Sequence, residues 1–142
     1  MLAAGVVLAV AVSRGGESEG QQLRALREDP LGRYVPRDGR LVRTYANDKK
    51  SGGMFSKPSP ARFQRLFALP PDGGPAAMQE AIDAATAAGW TMQPPVGDLG
   101  SVGDKQLSTG KATVAFTLIT DPQALPEGTQ APVLTIGLEH VQ

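Results

Sequence analysis

Ser108-Thr109-Gly110-Lys111 is the stretch whose residue types most invite chemistry, because its letters overlap two motifs. A phosphate-binding loop needs a glycine six positions before its lysine, and Lys105 stands there. Ala112, not Ser or Thr, follows Lys111, and the stretch opens onto a strand pattern, so no helix N-terminus faces a phosphate. As an S-x-x-K acylating serine, with Lys50-Ser51-Gly52 as the companion triplet, it fails on order. The chain is also short for that fold, and the serine should open a helix. A tight turn at Thr109-Gly110 before a strand is what remains. His140 is the single histidine, within the last three residues, and reads as a solvent-facing strand end. Histidine-dependent hydrolysis and zinc binding both need partners at defined spacing, which it lacks. Asp98, Asp104, Asp121 and Glu127 are scattered through loop-like segments, where aspartate most often closes turns. The stretch from Asp98 to Asp104 lacks the alternating oxygen ligands of a calcium loop. With no cysteine, disulfides, thiolate metal sites and a cysteine nucleophile are excluded. No catalytic residue, cofactor or metal ligand is assigned, and the expectation is a protein that is not an enzyme.

The elements that would position any site can be read from periodicity. Ser18 to Glu28 reads as a short helix with Leu23 and Leu26 on one edge, ended by Asp29-Pro30. Gly32 to Gly39 is a linker. Leu41 to Tyr45 is β-prone, and Ala61 to Leu69 is a strand that places Phe63, Arg65, Phe67 and Leu69 on one face. A polar loop with a Met54-Phe55 tip joins these two into a hairpin; the exposed tip is a candidate contact with membrane or partner. The clearest helix runs from Pro75 to Ala88, with Met78, Ala81, Ile82 and Ala85 as its apolar stripe and Gly89 beyond its end. Trp90 follows as a core residue. Two alternating strands, Ala112 to Thr120 and Pro132 to Val141, close the chain as a hairpin, and short strands at Trp90 to Met92 and Lys105 to Ser108 are optional additions. The expected fold class is α+β: a two-layer antiparallel sheet in ββαββ order with one main helix, preceded by an N-terminal apolar helix. The expected division is residues 1–13 as a membrane anchor or signal segment, 14–40 as a short helix and linker, and 41–142 as the α+β domain.

Met1 to Val12 contains no polar side chain. As a helix, twelve residues reach about 18 Å, short of the roughly 30 Å of a bilayer core. A signal peptide, an anchor with a longer front end and a buried core helix remain open readings. Ala9-Val10-Ala11 suits a cleavage site, but no Lys or Arg precedes the apolar run. The address implied is the cell membrane on its extracytoplasmic face, or secretion, with the membrane contacted through residues 1–13.

The net charge is zero, yet residues 24–65 hold eleven basic and four acidic side chains, and residues 66–142 hold two basic and eight acidic. The halves therefore carry +7 and −6. Either the two halves fold together and their charges intermix, or a basic face meets anionic lipid headgroups or an anionic wall polymer. Arg37, Arg40, Arg43, Lys49 and Lys50 are the candidate contacts for such a surface. Nucleic acid is not an expected partner, because the basic half lacks interleaved aromatic platforms.

The leader, Asp29-Pro30-Leu31, a helix ending in Ala88-Gly89-Trp90 and two terminal strands together resemble small uncharacterised exported or membrane-anchored proteins of Gram-positive bacteria with Ala- and Gly-rich proteomes. The resemblance implies an address and no activity. The function expected is a membrane-tethered or secreted, non-enzymatic envelope domain that binds an envelope protein or anionic polymer. The alternatives are an electrostatic binder of anionic lipid or wall polymer through residues 24–65, and a small-ligand-binding or hydrolytic domain that gathers Arg43 or Arg65 with loop carboxylates.

Overall fold

The computed structural model describes residues 20–49, 59–95 and 100–141. The expected apolar helix at the N-terminus lies outside these residues, as do Lys50, Lys50-Ser51-Gly52 and the Met54-Phe55 tip. The expected ββαββ sandwich is overturned: the described residues form one six-stranded antiparallel sheet and are 40% strand against 27% helix. The elements are α1 (Gln21–Glu28), α2 (Pro30–Arg33), β1 (Arg40–Asn47), β2 (Arg62–Ala68), α3 (Gly74–Ala87), β3 (Thr91–Met92), β4 (Gly100–Leu107), β5 (Gly110–Ile119), a 3-10 turn (Pro122–Ala124) and β6 (Val133–His140). The strand order is β1-β2-β6-β5-β4-β3. The last strand in sequence therefore lies between the second and the fifth, and each β6 residue from Val133 to Glu139 has a partner on both sides.

Alternation explains the inner face. Phe63 and Phe67 from β2, Ala112, Val114, Phe116 and Leu118 from β5, and Leu134, Ile136 and Leu138 from β6 all point to one side and are buried. The apolar stripe of α3 (Ala77, Met78, Ala81, Ile82 and Ala85) and Leu23, Leu26 and Leu31 from α1–α2 cover them in a single cluster. Pro75 lies in the first turn of α3, and Gly89 past its end adopts φ +95°, a conformation that favours glycine.

β4 was hidden in the sequence because its inward positions are Ser101, Gly103 and Lys105, so the apolar rhythm is missing. Its pairing supplies the order instead. β4 and β5 form a hairpin whose turn is Ser108-Thr109, with Leu107 opposite Gly110 and Gly110 at φ +130°. Gly103 is required by packing: a Cβ there would come within 2.7 Å of the Thr91 carbonyl oxygen and closer still to the Met92 sulfur. β3 lies against this glycine.

One buried carboxylate ties the layers together. Asp29 ends α1, and its Oδ2 accepts from the backbone N–H of Leu31 and from Trp90 Nε1, both at 2.9 Å. Its Oδ1 accepts from Lys105 Nζ, which also donates to the Ala88 carbonyl at 2.7 Å. Lys105 thus serves the part-buried carbonyl of Ala88, the C-cap of α3, while neutralising the cap between α1 and α2.

His140 departs from expectation. It is 2% exposed, because β6 is an interior strand and the β4–β5 turn covers its end. Nδ1 faces the Val141 carbonyl at 3.2 Å and Nε2 faces Thr109 Oγ1 at 2.9 Å. A carbonyl can only accept, so a neutral ring carries its proton on Nδ1 and accepts the threonine hydroxyl at Nε2.

Candidate binding face

The face of the sheet opposite the helices carries the candidate site. Its residues follow from the register. One row across the strands is Asn47, Arg62, Glu139, Thr113 and Asp104; the next is Tyr45, Gln64, Gly137, Ala115 and Val102; the third is Arg43, Leu66, Thr135, Thr117 and Gly100. Strands lie about 4.8 Å apart, so each row samples the face at that interval.

β1 is the exposed margin of this face. It is eight residues long and seven of them are exposed, whereas the opposite edge strand, β3, has two residues. Arg40 and Arg43 are three apart, a spacing that in a regular strand sends side chains to opposite faces. Here the register slips at Val42, so Arg40 pairs with Ala68 and Arg43 with Leu66, and both arginines share the outer face with Tyr45. Arg43 donates from Nη1 to Tyr45 Oη at 3.2 Å, and its guanidinium lies 5.9 Å from the ring centre. Tyr45 is 43% exposed.

Of the five basic residues singled out from sequence, Arg40 and Arg43 therefore come together. Arg37 and Lys49 are exposed but lie beyond opposite ends of β1, and Lys50 lies outside the described residues. The backbone N–H of Arg37 donates to Glu80 Oε1 at 3.0 Å, and the Tyr34 hydroxyl donates to the same oxygen at 2.8 Å. These two bonds hold the Glu80 carboxyl below its usual pKa, the backbone donor foremost, while burial and the Glu80 contact raise the Tyr34 phenol.

Arg43 and Arg65, both considered for a ligand pocket, lie on opposite faces of the sheet, so they do not converge. Arg65 is 7% exposed, stacks 5.4 Å from the Phe63 ring centre and 5.1 Å from that of Phe67, and donates to the Leu31 carbonyl at 2.9 Å. Burial lowers its pKa from the ordinary guanidinium value. Its role is to fasten α2 to the sheet. Asp98 lies outside the described residues, and Asp104, Asp121 and Glu127 do not cluster: no group of three metal-ligating side chains occurs among the described residues.

The residues that sequence reasoning missed are Tyr45, Arg62, Gln64 and Gly137. Arg62 Nε and Glu139 Oε2 form an exposed ion pair at 2.5 Å, and with Gln64, Thr113, Ala115 and Gly137 they line a depression of about 220 Å³. Gly137, alone in an otherwise alternating apolar strand, was the legible signal; the register slip at Val42 left none. No family model matches the chain, and neither a curated protein nor a solved structure is similar to it.

Proposed function

We propose that this chain is a non-enzymatic binding domain of the cell envelope, tethered or exported through residues 1–13, which contacts an anionic envelope component through β1 and the outer sheet face. The single observation that carries the reading is the slip at Val42, which gathers Arg40, Arg43 and Tyr45 on one exposed surface. A bulge that brings two cations side by side raises local positive potential, and a partner bearing closely spaced carboxylates or phosphates relieves it. Charged edge strands also deter sheet-to-sheet aggregation, and salt-dependent binding separates the two roles.

The test uses the purified chain and vesicles with and without anionic lipid, alongside an insoluble anionic wall polymer. Binding to either anionic partner that falls as salt rises, and that the double reversal Arg40→Glu/Arg43→Glu weakens at least tenfold, supports the reading. Binding that ignores both salt and the reversal overturns it. A reporter active only outside the cytoplasm, fused after Gln142, tests the address; reporter silence sinks it.

A further inference from the structure

Gly137 sits in the middle of β6, the most enclosed strand of the sheet, yet its backbone does not need glycine. Its φ is not positive, and a Cβ would meet only the Ala115 carbonyl at 3.8 Å and Gln64 Cγ at 3.9 Å, which are ordinary contacts. Glycine inside a strand weakens it and often marks close approach by a ligand. Contrast Gly103, where a side chain would collide with β3. At Gly137 the missing side chain leaves space, and that space is the floor of the depression between Gln64 and Ala115.

The chemistry of the rim narrows the occupant. β2, β6 and β5 are interior strands whose backbone groups are committed to their ladders on both sides. An extended peptide recognised by main-chain hydrogen bonds finds none to use here. Recognition must run through side chains, and the rim offers the amide of Gln64, the hydroxyl of Thr113, and the Arg62–Glu139 pair. These groups stand on neighbouring strands around the Gly137–Ala115 floor, an arrangement that suits a ring bearing several hydroxyls. Arg43 and Arg40 flank this face with positive charge, and Tyr45 shares the row of Gly137.

We propose that the trough over Gly137 is a saccharide subsite and that its ligand is an anionic glycan, one sugar unit lying on the Gly137–Ala115 floor while acidic groups along the chain meet Arg43 and Arg40. The inference rests on the envelope-binding reading above and specifies its partner. Polygalacturonate serves as the probe, with dextran as the neutral glycan and polyglutamate as the polyanion without rings. The expected result is binding to polygalacturonate that exceeds dextran and polyglutamate by tenfold or more. Gly137→Val fills the trough from the outer face of the half-buried β6 position, and its fold is checked by circular dichroism and melting temperature. It should weaken polygalacturonate binding at least tenfold, and Gln64→Ala, a surface change that leaves the ladder intact, should weaken it severalfold. Equal binding of polyglutamate and polygalacturonate, binding of none of the three, or unchanged binding by folded Gly137→Val and Gln64→Ala overturns the subsite. If those variants bind normally while Arg40→Glu/Arg43→Glu abolishes binding, the basic-margin reading stands and only the trough is lost.

Discussion

Asp29 and Lys105, 76 positions apart in sequence, meet through Oδ1 and Nζ at 2.5 Å in a site where the aspartate side chain is 3% exposed and the lysine 21%. The pair joins the α1–α2 junction to β4 and, through the Ala88 carbonyl, to the end of α3. Removing one partner leaves the other's charge without compensation in an enclosed place, so Asp29→Ala should cost about 3 kcal/mol. Urea unfolding measures it. A double-mutant cycle with Lys105→Met should show coupling above about 1 kcal/mol, since contacting residues do not add. Additive single effects would show that the two are independent.

Two glycines on strands that flank β5, Gly103 in β4 and Gly137 in β6, should respond in opposite ways to alanine. Gly103→Ala drives a methyl into the Thr91 carbonyl and the Met92 sulfur, and overpacking of that kind costs about 1–3 kcal/mol. Gly137→Ala meets open contacts and removes chain entropy from the unfolded state, so it should be neutral or stabilising by up to about 1 kcal/mol. Thermal melts of the two variants beside the parent chain decide this; equal destabilisation by both would contradict the packing described.

Tyr34 and Glu80 predict opposite pH limits for the attachment of α2 to α3. The raised phenol pKa means that the folded chain holds this proton more tightly than the unfolded chain. Its contribution is complete below the ordinary tyrosine pKa of about 10 and is lost as pH rises beyond it. Glu80 is depressed, so its contribution is present above the ordinary carboxyl pKa of about 4.3 and is lost as pH falls through the lower folded value. Urea midpoints should therefore drop above about pH 10 in the parent chain and less so in Tyr34→Phe. An identical alkaline profile in both would remove Tyr34 from the account.

In its neutral form the His140 ring should carry its proton on Nδ1. Its two contacts, a carbonyl at 3.2 Å on Nδ1 and a hydroxyl at 2.9 Å on Nε2, allow no other neutral arrangement in which both bonds form. Nitrogen chemical shifts of the ring read the tautomer directly. Thr109→Val leaves Nε2 without its donor in a buried site and should cost about 1–3 kcal/mol. An Nε2–H tautomer would reverse the assigned roles.

Much of the local structure was legible because it follows from short-range rules. The alternation of Ala112 to Leu118 and of Leu134 to Leu138, the stripe of α3, the stop at Asp29-Pro30 and the glycine at position 89 are all recovered in place. Those patterns record which side of an element meets the core, and burial of apolar area enforces them.

What the tertiary structure alone decided is how many strands there are, in what order they lie, and where the outer face becomes a surface. β4 carries polar and glycine residues inward, and its order comes from pairing with β5 and from Lys105 reaching Asp29, neither of which leaves a periodic trace. His140 looked exposed because it is near the chain end, but an interior strand buries its ends as well as its middle. Arg40 and Arg43 share a face only through a one-residue slip at Val42, a feature set by how β1 meets β2 and not by either strand alone. Charge and residue type were written in the chain from the start. Which charges stand together depended on long-range pairing, whose energy is shared between segments distant in sequence and so has no signature in either one.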